Sequence, residues 1–264
     1  MRWRKLGNWL PAIPGFTHAA MPFYFEGDIY FSPRDSMGRS QIYRMPFNPR
    51  SLASGKPSEY LTHGERGAYD DYGAMVSWVK RDGPRVLCYF IGWNIPVNIP
   101  FRNSIGLAID GHKLFGPLLD RNLYDPYGVG SCCDGLDYYL SVVGWETHDL
   151  RPRARYHIVH GHPHRPAITF KDHATEWAIA RPCVIGDDMF YCYRGDQYRI
   201  GYATQNEAGQ WIRRDEEVGI TVSESGFDSE AVCYPHVFQH DDSIYMLYNG
   251  NGYGKTGFGL AVMC

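Results

Sequence analysis

The sequence predicts an all-β chain folded as a five-bladed β-propeller, with an N-terminal strand closing the last blade. Three observations carry that prediction: a unit of about 53 residues recurring five times, three strand patterns that keep phase across the copies, and a last copy one strand short. The expected domain is single and spans residues 1–264.

The unit is clearest near the C-terminus. Val232 to Phe238 is β-branched and aromatic, broken by one proline; residues 240–243 have turn chemistry, and Ile244 to Tyr248 reads as a second strand. The glycine-rich stretch 249–256 is a loop, and Phe258 to Val262 is a third strand. The proline sets the register. Tyr234-Pro235 is matched by Arg181-Pro182, Asp125-Pro126 and Met21-Pro22, with Ala74-Met75 as a copy that has lost its proline. Positions 22, 75, 126, 182 and 235 are 53, 51, 56 and 53 residues apart. Second strands repeat at Gly92-Trp93, Gly144-Trp145, Arg194-Gly195 and Asn249-Gly250, with residues 29–32 as a weaker first copy. Third strands repeat as Ile105-Gly106-Leu107-Ala108, Ile200-Gly201-Tyr202-Ala203 and Phe258-Gly259-Leu260-Ala261.

Outer strands are shorter. Residues 113–116 and 211–214 hold that place in their own units, and residues 2–10 resemble them. The last unit ends after three strands, so the N-terminal segment is expected to supply the fourth and close the ring, removing an open sheet edge.

Composition agrees. Aromatic residues make up 15% of the chain, with 20 Tyr, 29 Gly and 17 Pro, a mixture suited to strands and turns. The net charge of −3 leaves no basic footprint for nucleic acid. No apolar run reaches membrane-spanning length and no secretory signal is evident, so neither membrane insertion nor export is expected. The seven cysteines form no even framework and four sit in expected strands, which points to a reduced cytoplasmic protein without structural disulfides. The segment 151–166 is irregular, with His157, His160, His162, His164 and three prolines. Alternating histidines on one strand face would make metal ligands, whereas the prolines point to a solvated surface loop. The loop is the expectation, and no metal or cofactor is assigned.

In a propeller the innermost strands converge on one axis, so residues flanking each repeat proline become neighbours. Met21, Ala74, Asp125, Arg181 and Tyr234 stand immediately before that position, and His18, Asp70, Asp71, Glu176 and Glu230 a few residues upstream. Such a funnel combines carboxylates, one arginine, histidines including His236, and aromatic walls. Aromatic faces stack on sugar rings, while carboxylates and Arg bind hydroxyls or acidic groups. The expected ligand is therefore a carbohydrate. Arg181 buried in that position requires a partner carboxylate or an acidic ligand.

The repeat, the Asp-Pro at an inner strand and the Ile-Gly-Leu-Ala third strands resemble the five-bladed propellers of glycoside hydrolase family 43 and its relatives in families 32, 62, 68 and 130. The final stretch, from Cys233-Tyr234-Pro235-His236 to Phe258-Gly259-Leu260-Ala261-Val262, resembles more closely a family-43-like branch found among surface-polysaccharide proteins and as a module on some glycosyltransferases, and that closer resemblance covers about the last 85 residues. That resemblance implies a glycosyltransferase or polysaccharide-assembly partner. The family pattern places a base Asp before the first-blade proline, a pKa-tuning Asp before a middle one, and an acid Glu near the fourth. This sequence has Met21, Asp125 and Arg181 there, with Glu176 offset by six positions from the fourth proline.

Two functions follow. One is a glycosidase-like enzyme whose catalytic carboxylates are Asp125, Glu230 and Asp71, with Arg181, His18, Asp70, Tyr234 and His236 binding substrate. The other is a non-hydrolytic propeller that binds a glycan or sugar nucleotide.

Overall fold

The computed structural model describes residues 1–161, 165–171 and 175–264. Its strands fall into five antiparallel groups of four. The first is β2 (Phe16–Phe25), β3 (Asp28–Asp35), β4 (Ile42–Pro46) and β5 (Ser58–Leu61). The second is β6 (Gly73–Asp82), β7 (Arg85–Asn94), β8 (Arg102–Ile109) and β9 (His112–Lys113). The third is β10 (Val129–Cys133), β11 (Tyr138–His148), β12 (Arg151–His160) and β13 (Arg165–Ile168). The fourth is β14 (Ala178–Ile185), β15 (Asp188–Arg194), β16 (Tyr198–Gln205) and β17 (Trp211–Arg213). The last is β18 (Cys233–His240), β19 (Ser243–Asn249) and β20 (Phe258–Met263), completed on its outer edge by β1 (Trp3–Trp9).

The first strands of the groups touch in sequence: β2 on β6, β6 on β10, β10 on β14, β14 on β18, and β18 back on β2. That closed ring is the core of a β-propeller, and the pairing is consistent with five blades. A parallel bridge from Tyr156 to Ala178 joins the third and fourth groups into one sheet.

Ring closure comes from the chain ends. Strand β1 pairs antiparallel with β20, from Trp3 opposite Met263 to Trp9 opposite Phe258. Trp3 is buried, donates its indole N–H to the Val218 carbonyl at 2.8 Å and meets Phe190 edge-on at 6.0 Å. Lys5 reaches the buried Asp228 carboxylate at 2.6 Å, which also accepts from the Tyr248 hydroxyl. Burial of one face and satisfaction of the polar groups together fix the register.

Turn chemistry sets the hairpins. Glu26-Gly27, at φ 47° and 89°, turns β2 into β3 as a two-residue loop whose two left-handed residues match the twist of the strands.

Each innermost strand carries a bulge, and this corrects the expected register of the third group. In β2, β14 and β18 one extra residue sits at Met21-Pro22, Arg181-Pro182 and Tyr234-Pro235, and the residue before the proline is left-handed. The proline's missing N–H costs no ladder bond there. In β10 the same bulge falls at Ser131-Cys132, with Ser131 at φ 37°. The amide at this point is put to use, because Cys132 N–H donates to the Ser77 hydroxyl at 2.6 Å. A proline there would remove that bond. Asp125-Pro126 lies instead in the preceding turn, so the sequence match to the other prolines was coincidental.

The expected surface loop at 151–166 is also corrected. Residues 151–160 form β12, a regular strand paired along β11. Ala154, Tyr156 and Ile158 alternate inward, while the arginines and His157 take the intervening positions. His160 stacks on Tyr138 at 4.6 Å. His162 and His164 lie outside the described residues. All seven cysteines are free, six of them buried. Among the described residues, no helix is long and apolar enough to cross a membrane.

Candidate functional site

The bulges aim side chains at the ring axis. A left-handed residue in a bulge turns its side chain out of the regular alternation, and Met21, Ser131, Arg181 and Tyr234 all line one cavity of about 400 Å³. Met75 of β6 joins them from the second group. The volume lies within the range of small-molecule pockets, roughly 300–1,000 Å³. Second strands supply half of the remaining wall, because their ends stand beside the starts of the first strands: Trp93 pairs with Gly73, and Arg194 with Ala178. Tyr156, Tyr198 and Tyr253 form an aromatic side, and Phe101 packs edge-on against Trp145 at 4.9 Å.

Arg181 is 2% exposed. Its Nη1 donates to the carbonyls of Ser77 at 2.8 Å and Val76 at 3.3 Å, both on β6 across the axis. No carboxylate pairs with it among the described residues. Burial pulls its pKa down, against the smaller opposing influence of neighbouring thiols. Arg194 donates to the Tyr253 hydroxyl at 3.0 Å and lies over the Tyr198 ring at 5.2 Å. Burial opposes its charge, but the hydroxyls of Tyr198, Tyr156, Tyr253 and Tyr234 outweigh that and raise its pKa. Tyr156 and Tyr198 share a short 2.5 Å hydrogen bond, and burial holds both phenols neutral. Arg34 lies over the Trp93 ring at 5.5 Å, and Trp93 donates to Ser40 at 2.8 Å.

Of the eight residues expected at the site, Arg181 and Tyr234 line this cavity. The other six are placed elsewhere. Asp125 is fully buried in the turn before β10, where its carboxylate accepts from the Ser141 hydroxyl. Asp70 is buried and ion-paired with Lys113 at 2.5 Å, and Asp71 accepts from the Gly67 amide at 2.9 Å. These two acids shape the loop leading into β6. Glu230 is exposed; its amide donates to Asn251 at 2.8 Å and its carbonyl accepts from Arg199. His18 is half-buried, and burial, then the charges of Arg34 and Lys255, lower its pKa. His236 is buried against Phe23, its centroid 3.8 Å away, with Nε2 3.1 Å from the Tyr24 carbonyl. Glu176 is taken by Arg213.

None of the described lining residues is Asp, Glu or His. Among the described residues, the lining therefore offers cationic and hydroxyl donors and aromatic faces, and no carboxylate or imidazole that could transfer a proton near neutral pH. The sequence reading missed Arg34, Trp93, Asn103 and Arg194. For Trp93 and Arg194 a signal existed: both stand at the recurring second-strand end.

No family model matches the chain. Two mycobacterial relatives, "Uncharacterized protein MT1551" and "Uncharacterized protein Rv1502" of Mycobacterium tuberculosis, are each 34% identical over 304 aligned residues, covering 100% of this chain and 99% of theirs. The chain belongs to their family. Among solved structures, one titled "Glycoside hydrolase" is 14% identical, covers 97% of this chain and 89% of its own, and superposes with a TM-score of 0.71. A thermostable family-43 glycoside hydrolase is 13% identical, with 96% and 91% covered and a TM-score of 0.59. These likenesses show the fold alone: the chain shares the β-propeller of these structures.

Within that fold, the axial bulge positions of the first, third and fourth groups hold Met21, Ser131 and Arg181. Carboxylates are absent from all three.

Proposed function

We propose that this propeller binds a saccharide in its axial cavity without hydrolysing it. The observation that carries the reading is the cavity's chemistry: aromatic faces and arginines, with no carboxylate or imidazole among the described lining residues. Glycoside hydrolysis uses a proton donor and a second carboxylate on opposite sides of the scissile bond. Asp125, Asp70 and Glu176 are instead buried in hydrogen bonds or ion pairs with Ser141, Lys113 and Arg213. Aromatic walls favour the apolar face of a sugar ring, and Asn103, Ser131 and the arginines supply hydrogen bonds to its edge.

In this reading the 264-residue chain acts as one domain in a reducing, cytoplasmic compartment, which its free cysteines fit. It serves a glycosyltransferase or polysaccharide-assembly partner by holding a precursor or an end of the glycan. The glycosidase reading keeps one support, the fold.

Calorimetric titration with a panel of mono- and disaccharides, followed by chromatography of the incubated mixtures, separates the two. Saturable binding with the sugars recovered intact is expected. Release of a cleaved product, at a rate lost in Asp125→Asn or Glu230→Gln, would establish the enzyme instead.

A further inference from the structure

Elsewhere in this molecule, three partly buried cations meet carboxylates. Arg213 is paired with Glu176 and Asp215, Lys5 with Asp228, and Lys113 with Asp70. The cavity breaks the pattern. Arg34, Arg181 and Arg194 all line it, and none forms an ion pair among the described residues.

We infer that the saccharide carries an anionic group, a phosphate or a carboxylate, and that Arg181 anchors it with support from Arg194. The inference rests on the binding function proposed above and specifies its ligand.

Arg181 makes the strongest case. Its two bonds to the Val76 and Ser77 carbonyls use Nη1 alone, and its Nε and Nη2 have no acceptor among the described residues. Among the described residues, its surroundings supply no counter-charge. Burial pushes the Cys132 and Cys183 thiols up to about 11 and Cys192 up to about 12, so all three stand neutral. His236 is buried beside it and likewise neutral, its pKa pulled down to about 3. A guanidinium this buried, without a partner carboxylate, is a costly arrangement for the empty protein. A planar anion meeting the Nε–Nη2 edge would form the two-point contact that guanidinium favours. The backbone supports this aim, because Arg181 holds a left-handed conformation at φ 60° in its bulge. Such strain in a non-glycine residue persists where the position of the side chain matters.

Arg194 extends the cationic surface. It is fixed by the Tyr253 hydroxyl and by the rings of Tyr198 and Tyr253, and its charge is not neutralised by these contacts. The same tyrosines with Trp93 give the cavity an apolar side, so it suits a ligand with an anion at one end and a ring face beside it. An acidic sugar has that form: a hexuronate or a hexose phosphate.

The test is isothermal titration of the full chain with methyl hexopyranosides, hexuronates and hexose 1-phosphates of the gluco, galacto and manno series, and with inorganic phosphate. At least one charged sugar should bind 10-fold or more tightly than its neutral methyl glycoside, on the order expected for a charge-assisted hydrogen-bond pair. Arg181→Met and Arg194→Met should each remove most of that preference. If Arg181→Met fails to fold, Arg194→Met and the fall in affinity with added salt decide the matter. Preference for hexuronate over phosphate, or the reverse, identifies the anion. Equal binding of charged and neutral sugars would overturn this inference and leave saccharide binding standing. Phosphate binding with no sugar preference would keep the anion anchor and remove the saccharide. No binding by any probe would overturn both.

Discussion

Arg213 holds Glu176 in a two-point fork, with Nη1 2.5 Å from Oε1 and Nη2 3.0 Å from Oε2. The same guanidinium reaches Asp215, which also takes Lys171 and the Tyr191 hydroxyl. Glu176 is the nearest acid upstream of the fourth-group proline, and this network commits it to structure. Both partners are largely buried, their side chains 12% and 9% exposed. Glu176→Gln should therefore cost stability, about 3 kcal/mol, as expected when one member of a buried pair is lost. Urea unfolding measures that loss, and saccharide affinity should be unchanged.

The closure of the ring gives a second prediction. Trp3 fills the outer edge of the last blade against Phe190 and Val218. Trp3→Ala should lower stability by about 3–5 kcal/mol, the usual cost of removing a buried indole. Limited proteolysis should then cut first within residues 1–10, where β1 frays from β20.

Much of this architecture was legible from sequence because it depends on local patterns that repeat. The second- and third-strand motifs at Gly92-Trp93 and Phe258-Gly259 fall on β7 and β20, and Arg194 of Arg194-Gly195 ends β15. The site was less legible. Proline marked the axial bulge only where the amide was dispensable, so Met21, Arg181 and Tyr234 were found and Ser131 was missed, because the Cys132 amide is needed by Ser77. The acids misled for a different reason. Sequence position cannot tell a carboxylate facing the axis from one turned to a partner such as Lys113 or Ser141.

Asp125 tests that distinction. Its carboxylate is fully buried and accepts from Ser141. Asp125→Asn should destabilise the fold by about 1–3 kcal/mol through the weakened buried hydrogen bond. Saccharide affinity should stay within about twofold, a difference of under 0.5 kcal/mol. A large loss of affinity at unchanged stability would return Asp125 to the site.

His236 predicts a pH dependence. Burial, then the charge of Arg181, pulls its pKa from 6.5 down to about 3. The unfolded chain takes up a proton below about pH 6.5, whereas the native chain does not until about pH 3. Its contribution is therefore complete above pH 6.5 and is lost as pH falls toward 3, with a slope of up to about 1.4 kcal/mol per unit. Melting curves of wild type and His236→Phe between about pH 8 and pH 4 check this: the difference between the two slopes isolates His236 from the carboxylates. Parallel curves would show that His236 does not carry the effect.

A crystal structure with a bound saccharide tests the central claim most directly. A sugar is expected in the axial cavity, its ring face against the tyrosines and tryptophan of the wall, with Arg181 as its deepest polar contact. Two carboxyl groups flanking the glycosidic oxygen, about 5–10 Å apart as in glycosidases, would contradict it.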